Sequence, residues 1–193
     1  MKDLIQVARG EKKADLLLKN ARIVNVFTGT INSGNVSIYN GRIAGIGDYE
    51  AKREIDLKES YLTPGFIDSH VHIESSMVSP EEFASIVIEH GTTTVVADPH
   101  EIANVAGKAG ITYMLEASKN LPISIYFMLP SCVPATHLET SGATLSASDL
   151  KSLSKEKSIL GLAEMMNFPG VLHCDPIVLE KLESFESKLI DGH

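Results

Sequence analysis

The chain has 193 residues, 44% hydrophobic and 22% charged, with 17 basic against 25 acidic side chains and a formal charge of −8. The composition is ordinary for a globular protein. The acidic balance excludes a nucleic-acid partner held by phosphate neutralisation, and no run of about 18 apolar residues is present to span a membrane.

Residues 1–62 read as short strands separated by turns. The first stretch, MKDLIQVARGEKKADLLLKN, is charged throughout and lacks the apolar core of a signal peptide. Asn40-Gly41, between two alternating runs, predicts a tight hairpin. A piece this small buries little by itself and needs further strands or a second layer.

At Pro64 the pattern changes to apolar runs alternating with helical segments. Residues 65–71 (GFIDSHV) read as a buried strand. Residues 79–91 read as a helix, with Ser79 as N-cap, Pro80 in the first turn and Gly91 at the end. Strands are then predicted at 92–99, 122–131, 159–165 and 189–193. Between them, 100–118, 146–156 and 174–188 are predicted helices, the last with an apolar stripe at Ile177, Leu179, Leu182 and Phe185. Such alternation predicts an α/β fold with a parallel sheet covered by helices.

Polar residues gather at the ends of these strands. His70, Asp98, Pro130, Glu164 and His193 are separated by 28, 32, 34 and 29 residues, close to the length of a βαβ unit. In a barrel of such units the C-terminal strand ends converge on one face. A full barrel takes about 250 residues, whereas 130 run from Pro64 to His193. The expectation is therefore half a barrel, truncated at about its fifth strand, with residues 1–62 as one domain portion and 63–193 as the other.

Within that frame the chemistry-bearing residues are few. His70 and His72 are two apart on a strand and so share a face, which suits a metal. Glu164, at the mouth of an apolar strand, can bridge two cations, and His193 occupies the fifth strand end. VVADPHE carries Asp98, His100 and Glu101, with Asp98 open to two readings, chemistry or capping of the next helix. Glu74 is a candidate proton acceptor or metal neighbour, and Ser75 and Ser76 could hydrogen-bond a ligand or cap. The loop PSCVPATHLETSGA is expected to line the pocket. Cys132 is read as a buried thiol and not a nucleophile, and Met165 and Met166 as packing. Cys132 and Cys174 lie outside any CxxC spacing and form no disulfide framework, so a cytoplasmic protein is expected.

The strings PGFIDSHVHIESS, HGTTTVVADPHEIANVAG, PSCVPATHLETSGA, GLAEMMNFPGV and DGH resemble the adenine deaminases of the amidohydrolase superfamily, from about residue 14 to the end of the chain. Many relatives in that superfamily place a modified lysine at the fourth strand; this chain has Glu164 there, as adenine deaminases do. The resemblance implies a (β/α)8 barrel with a small β-sandwich, of which the N-terminal strands are present here. It implies a binuclear divalent-metal centre, Mn2+ or Fe2+, and hydrolysis of adenine to hypoxanthine and ammonia by a metal-activated hydroxide, in purine salvage. By motif position His70 and His72 would hold one metal, Glu164 would bridge, and His193 would hold the other. Through the second-strand motif His100 joins the metal residues and Asp98 and Glu101 the catalytic ones, with Glu74, two residues beyond His72, as a further catalytic candidate. The substrate partner is adenine, and a homo-oligomer is expected. The strand-eight aspartate expected in this superfamily has no counterpart in the sequence, so the 193 residues alone are expected to be inactive. Two alternatives stay open: a non-catalytic remnant, and an amidohydrolase acting on a cyclic amide.

Overall fold

The computed structural model describes residues 1–192; His193, a predicted ligand, lies outside the described residues. The chain divides into two compact units, Met1–Pro64 and Gly65–His193.

The first unit contains α1 (Lys2–Ala8), β1 (Ala14–Asn25), β2 (Thr30–Tyr39), β3 (Arg42–Ile46), β4 (Ala51–Asp56) and β5 (Tyr61–Leu62). They form one mixed sheet in the order β3-β2-β1-β4, with β5 beside β1. β1 pairs antiparallel with β2 and parallel with β4. The predicted hairpin joins β2 to β3, and Asn40 and Gly41 both have positive φ, 50° and 71°. Two successive left-handed residues make the turn whose twist matches paired strands, and an Asn-Gly pair adopts it at little cost. Val7, Ala14, Leu17, Ala21 and Val36 are buried in this unit. The N-terminal helix was not foreseen from the sequence.

The second unit holds β6 (Phe66–Val71), a 3-10 turn (Ile73–Ser76), α2 (Pro80–Glu89), β7 (Thr92–Ala97), α3 (His100–Ala117), β8 (Ser124–Leu129), α4 (Ala147–Leu153), β9 (Ile159–Leu162), α5 (Phe168–Leu172), α6 (Pro176–Ser184) and β10 (Leu189–Ile190). The five strands are all parallel and lie side by side in chain order. A sheet that advances one neighbour per βα unit, without reversing, is the winding of a barrel. It is therefore part of a (β/α) barrel. Val95, Ala97, Phe127, Leu129, Ile159 and Leu162 from the strands meet Ala84, Ile111, Met114, Leu150 and Phe185 from the helices in one core.

Three expectations need correction. Residues 65–71 are not a buried strand: Phe66 and Ile67 are exposed, because among the described residues β6 lies at the sheet edge and pairs only with β7. The stripe on α6 holds in part: Phe185 is buried and Leu182 packs against the core as expected. Val178, Lys181 and Phe185 are the buried positions, and Ile177 is exposed. The predicted helix over 100–118 is broken at Gly107, whose φ of 59° and ψ of −141° are not helical. A side chain there would be strained by the backbone, and its Cβ would come 3.1 Å from that of Ala143. The caps follow the sequence more closely. Ser79 accepts from the Glu82 N–H at the start of α2, Ser146 and Asp149 form a capping box on α4, and Asp175 caps α6. Among the described residues no helix is long and apolar enough to cross a membrane.

Candidate metal centre

β6, β7 and β9 deliver the candidate residues to one end of the parallel sheet. Consecutive side chains on a strand face opposite ways, so His70 and the residue just past the strand, His72, emerge together. Their Nε2 atoms are 3.1 Å apart. Glu164, two residues beyond the last residue of β9, places Oε1 against both: 3.2 Å from His72 Nε2, and in direct contact with His70 Nε2. Glu164 is 6% exposed.

The tautomer of His72 follows from its other nitrogen. Nδ1 lies 2.9 Å from the Asp98 carbonyl oxygen, which can only accept, so Nδ1 carries the proton. In the neutral imidazole Nε2 then presents a lone pair to the space shared with His70 and Glu164. His70 is held more loosely, with Nδ1 3.3 Å from Asp191 Oδ2. A carboxylate facing two imidazole nitrogens 3.1 Å apart fits a divalent cation, whose charge satisfies all three at once.

A second group adjoins the first. His72, Asp98 and His100 also bring ligand atoms within 4.8 Å of one another. His100 Nδ1 donates to Asp98 Oδ2 at 3.0 Å, and its ring lies 4.6 Å, centroid to centroid, from that of His72. The Asp98 bond, with the neighbouring Cys132 thiol second, pushes the His100 imidazolium up to about 11. Burial pushes the Asp98 carboxyl up, and the His100 hydrogen bond pulls it back. A cation at this corner would take the place of the His100 proton. Asp98 is 2% exposed, and its Oδ1 has no hydrogen-bond partner among the described residues. The capping alternative is settled: the N-cap of α3 is Pro99, and no side chain caps it.

Glu74 and Glu101 are not brought onto the imidazoles. Glu74 Oε1 accepts from the Ile102 N–H at 3.1 Å, in the first turn of α3, and Glu101 Oε1 accepts from the Ser75 hydroxyl at 2.6 Å. Each keeps a buried Oε2 without a partner among the described residues. Burial pushes the Glu74 carboxyl up, and nearby Glu101 and Asp98 add to that, against the pull of backbone N–H groups. Ser76 turns back to the Ile73 carbonyl. The loop after β8 lines a cavity of about 520 Å³ together with α6, and Cys132, Met165 and Lys181 contribute to its wall. Cys132 is buried and Met165 lies in the core, as expected.

Three nearby residues were missed from the sequence: Asp191, Ser131 and Lys181. Asp191 directly follows β10 and so occupies the strand-end position that singled out the others. Lys181 stands second in the spacing Val178, Lys181, Phe185, where an apolar residue would be ordinary.

Comparison with known proteins adds the following. Residues 61–191 match the amidohydrolase family. The chain is 59% identical over its whole length to adenine deaminase 2 of Carboxydothermus hydrogenoformans, and 57% identical over its whole length to the adenine deaminase of Clostridium acetobutylicum. It spans 34% of each, so about a third of the length of the curated relatives it matches. Among solved structures it is similar to N-acyl-D-glutamate deacylase from Bordetella bronchiseptica, with TM-score 0.60, 15% identity, and coverage of 90% of this chain and 43% of that one. It is also similar to L-hydantoinase from Arthrobacter aurescens, with TM-score 0.52, 17% identity, and coverage of 89% and 47%. At those identities the structural likeness concerns the fold alone.

Proposed function

The chain belongs to the amidohydrolase family, and on that premise we propose that it carries the first ligands of a metal centre that hydrolyses adenine to hypoxanthine and ammonia. The observation that carries this reading is the meeting of His70 Nε2, His72 Nε2 and Glu164 Oε1 at one point. The resemblance of the surrounding motifs to adenine deaminases supports the choice of substrate. It also supports a binuclear Mn2+ or Fe2+ centre with His193 as a further ligand, a homo-oligomer and a cytoplasmic setting.

On this reading His70, His72 and Glu164 would hold the cation. A bound divalent cation supplies Lewis acidity and lowers the pKa of water toward about 7. The chain's own residues do the rest. The Asp98 carbonyl keeps the proton of His72 on Nδ1, so Nε2 stays a ligand. Glu164 would supply the negative charge that offsets the cation's own. The C6 amine of adenine is a poor leaving group until protonated, and a carboxylate must carry that proton. Asp98, whose Oδ2 meets His100 Nδ1, keeps Oδ1 without a partner among the described residues. Glu74 and Glu101 each keep one oxygen without a partner among the described residues.

The test is ammonia release from adenine by the metal-loaded chain joined to the remaining two thirds of an adenine deaminase relative, beside a cyclic amide such as hydantoin. Adenine turnover supports the reading. Turnover of the cyclic amide without adenine would replace it with the other amidohydrolase class. Failure to bind Mn2+, Fe2+ or Co2+ at all would leave the remnant reading standing.

A further inference from the structure

Outside the ligand cluster, the buried polar side chains of the second unit include Ser131 and Lys181. Lys181 is 6% exposed and has no carboxylate within salt-bridge distance among the described residues. Burial pushes its amine below the usual lysine range, with the Cys132 thiol acting the other way. A methionine or leucine at this place on α6 would pack between Val178 and Phe185 without that penalty. The contacts of Lys181 suggest why a lysine is there. Nζ donates to the Ser131 carbonyl at 2.7 Å, and the Ser131 hydroxyl donates to the Glu164 carbonyl at 2.5 Å. Both bonds are buried.

On its β10 side Glu164 is flanked by the Met165 N–H bond to the Asp191 carbonyl at 2.9 Å; on its β8 side the support comes from Ser131. The β8–β9 ladder ends at Leu129 and Leu162, and the last neighbouring bond runs from the Ala163 N–H to the Leu129 carbonyl at 2.7 Å. Beyond it, the Glu164 carbonyl is held by the Ser131 hydroxyl and by the Met166 N–H at 2.9 Å, a contact from its own loop. The direction of the Glu164 side chain depends on that backbone.

We infer that Lys181, acting through Ser131, is a positioning residue for Glu164, tying the outer helix α6 to the strand end that presents the carboxylate. The inference rests on the reading of Glu164 as a metal ligand. Lys181 touches neither cation nor substrate; it fixes the Ser131 backbone, and Ser131 fixes the Glu164 backbone. Loss of such supporting contacts typically weakens metal binding about 10–100-fold.

The test titrates the purified chain with Co2+, following the visible ligand-field band, for Ser131→Ala, Lys181→Met, the double variant and Glu164→Gln. Metal-free unfolding is measured alongside. Ser131→Ala and Lys181→Met should each weaken Co2+ binding about tenfold or more and alter the band, which a merely structural loss elsewhere would not move. Because the two act in series, the double variant should bind little worse than the weaker single one. If Lys181→Met does not fold, Ser131→Ala, which removes one oxygen, decides alone. Wild-type affinity and an unchanged band in Ser131→Ala, with binding lost in Glu164→Gln, would overturn the inference and leave the ligand reading intact. Fully additive losses would overturn the series arrangement. Wild-type binding in Glu164→Gln would remove both.

Discussion

His70 and His72 share a face but are not fixed alike. His72 is set by a backbone carbonyl, which mutation cannot remove, while His70 leans on Asp191, and the two side chains are 40% and 50% exposed. Exposed pairs of that kind contribute about 0–1 kcal/mol, so Asp191→Asn should weaken Co2+ binding by less than about fivefold. His72→Ala should abolish the site, and the same titration compares them. Equal losses would mean that Asp191 is itself a ligand. Lys181 offers a pH test. Its folded-state pKa is depressed, so above 10.5 both folded and unfolded chains are neutral there and the group adds nothing. As pH falls through 10.5 the unfolded chain takes the proton first. Wild type therefore loses stability relative to Lys181→Met until pH drops below the folded value, where the deficit levels off. Urea unfolding of both chains from pH 8 upward measures the difference; a difference independent of pH would show that the amine is not buried as described. At this scale strand spacing and strand ends, which are one-dimensional patterns, singled out His70, His72 and Glu164, the side chains that the structure brings together. Ser131 and Lys181 were hidden, since their role depends on which helix face meets which loop.

Elements were legible where local chemistry decides them. Asn40-Gly41, Ser79-Pro80 and Asp175-Pro176 mark a turn and two helix starts by their own conformational preferences. The break in α3 was not, because nothing in HEIANVAGKAGITYMLEA distinguishes Gly107 from Gly110. The structure does: Gly107 has positive φ and Gly110 does not. Gly107→Ala should therefore destabilise the fold by about 1–3 kcal/mol through backbone strain, more than the loss at an ordinary cap. Ser146→Ala, which removes half of the α4 capping box, should cost about 1 kcal/mol. Denaturant unfolding ranks the two, and a neutral Gly107→Ala would mean that α3 runs straight through. The edge position of β6 was also beyond the sequence, because an apolar run such as GFIDSHV does not say how many neighbours its strand has.

At the scale of the molecule, the described residues of the candidate centre, His70, His72, Asp98, His100 and Glu164, lie in the unit Gly65–His193. Binding energy should then enter the fold unevenly. At a free metal concentration a hundred times Kd the site stabilises its folded form by about 2.7 kcal/mol. That stabilisation should show in the amides that hold the strand ends. The Asp98 N–H bonds the Val71 carbonyl at 3.0 Å, and the Met165 N–H bonds the Asp191 carbonyl at 2.9 Å, each flanking a ligand position. Opening either bond displaces His72 or Glu164, so a bound cation must slow that opening. Hydrogen exchange with and without Mn2+ should show added protection at Asp98, Ala163 and Met165. It should show none along the paired stretch of β1 and β2 from Leu16 to Ile38. Equal protection in both units would mean that the cation binds elsewhere or that the two unfold together, and protection confined to the first unit would rule out His70, His72 and Glu164 as its ligands.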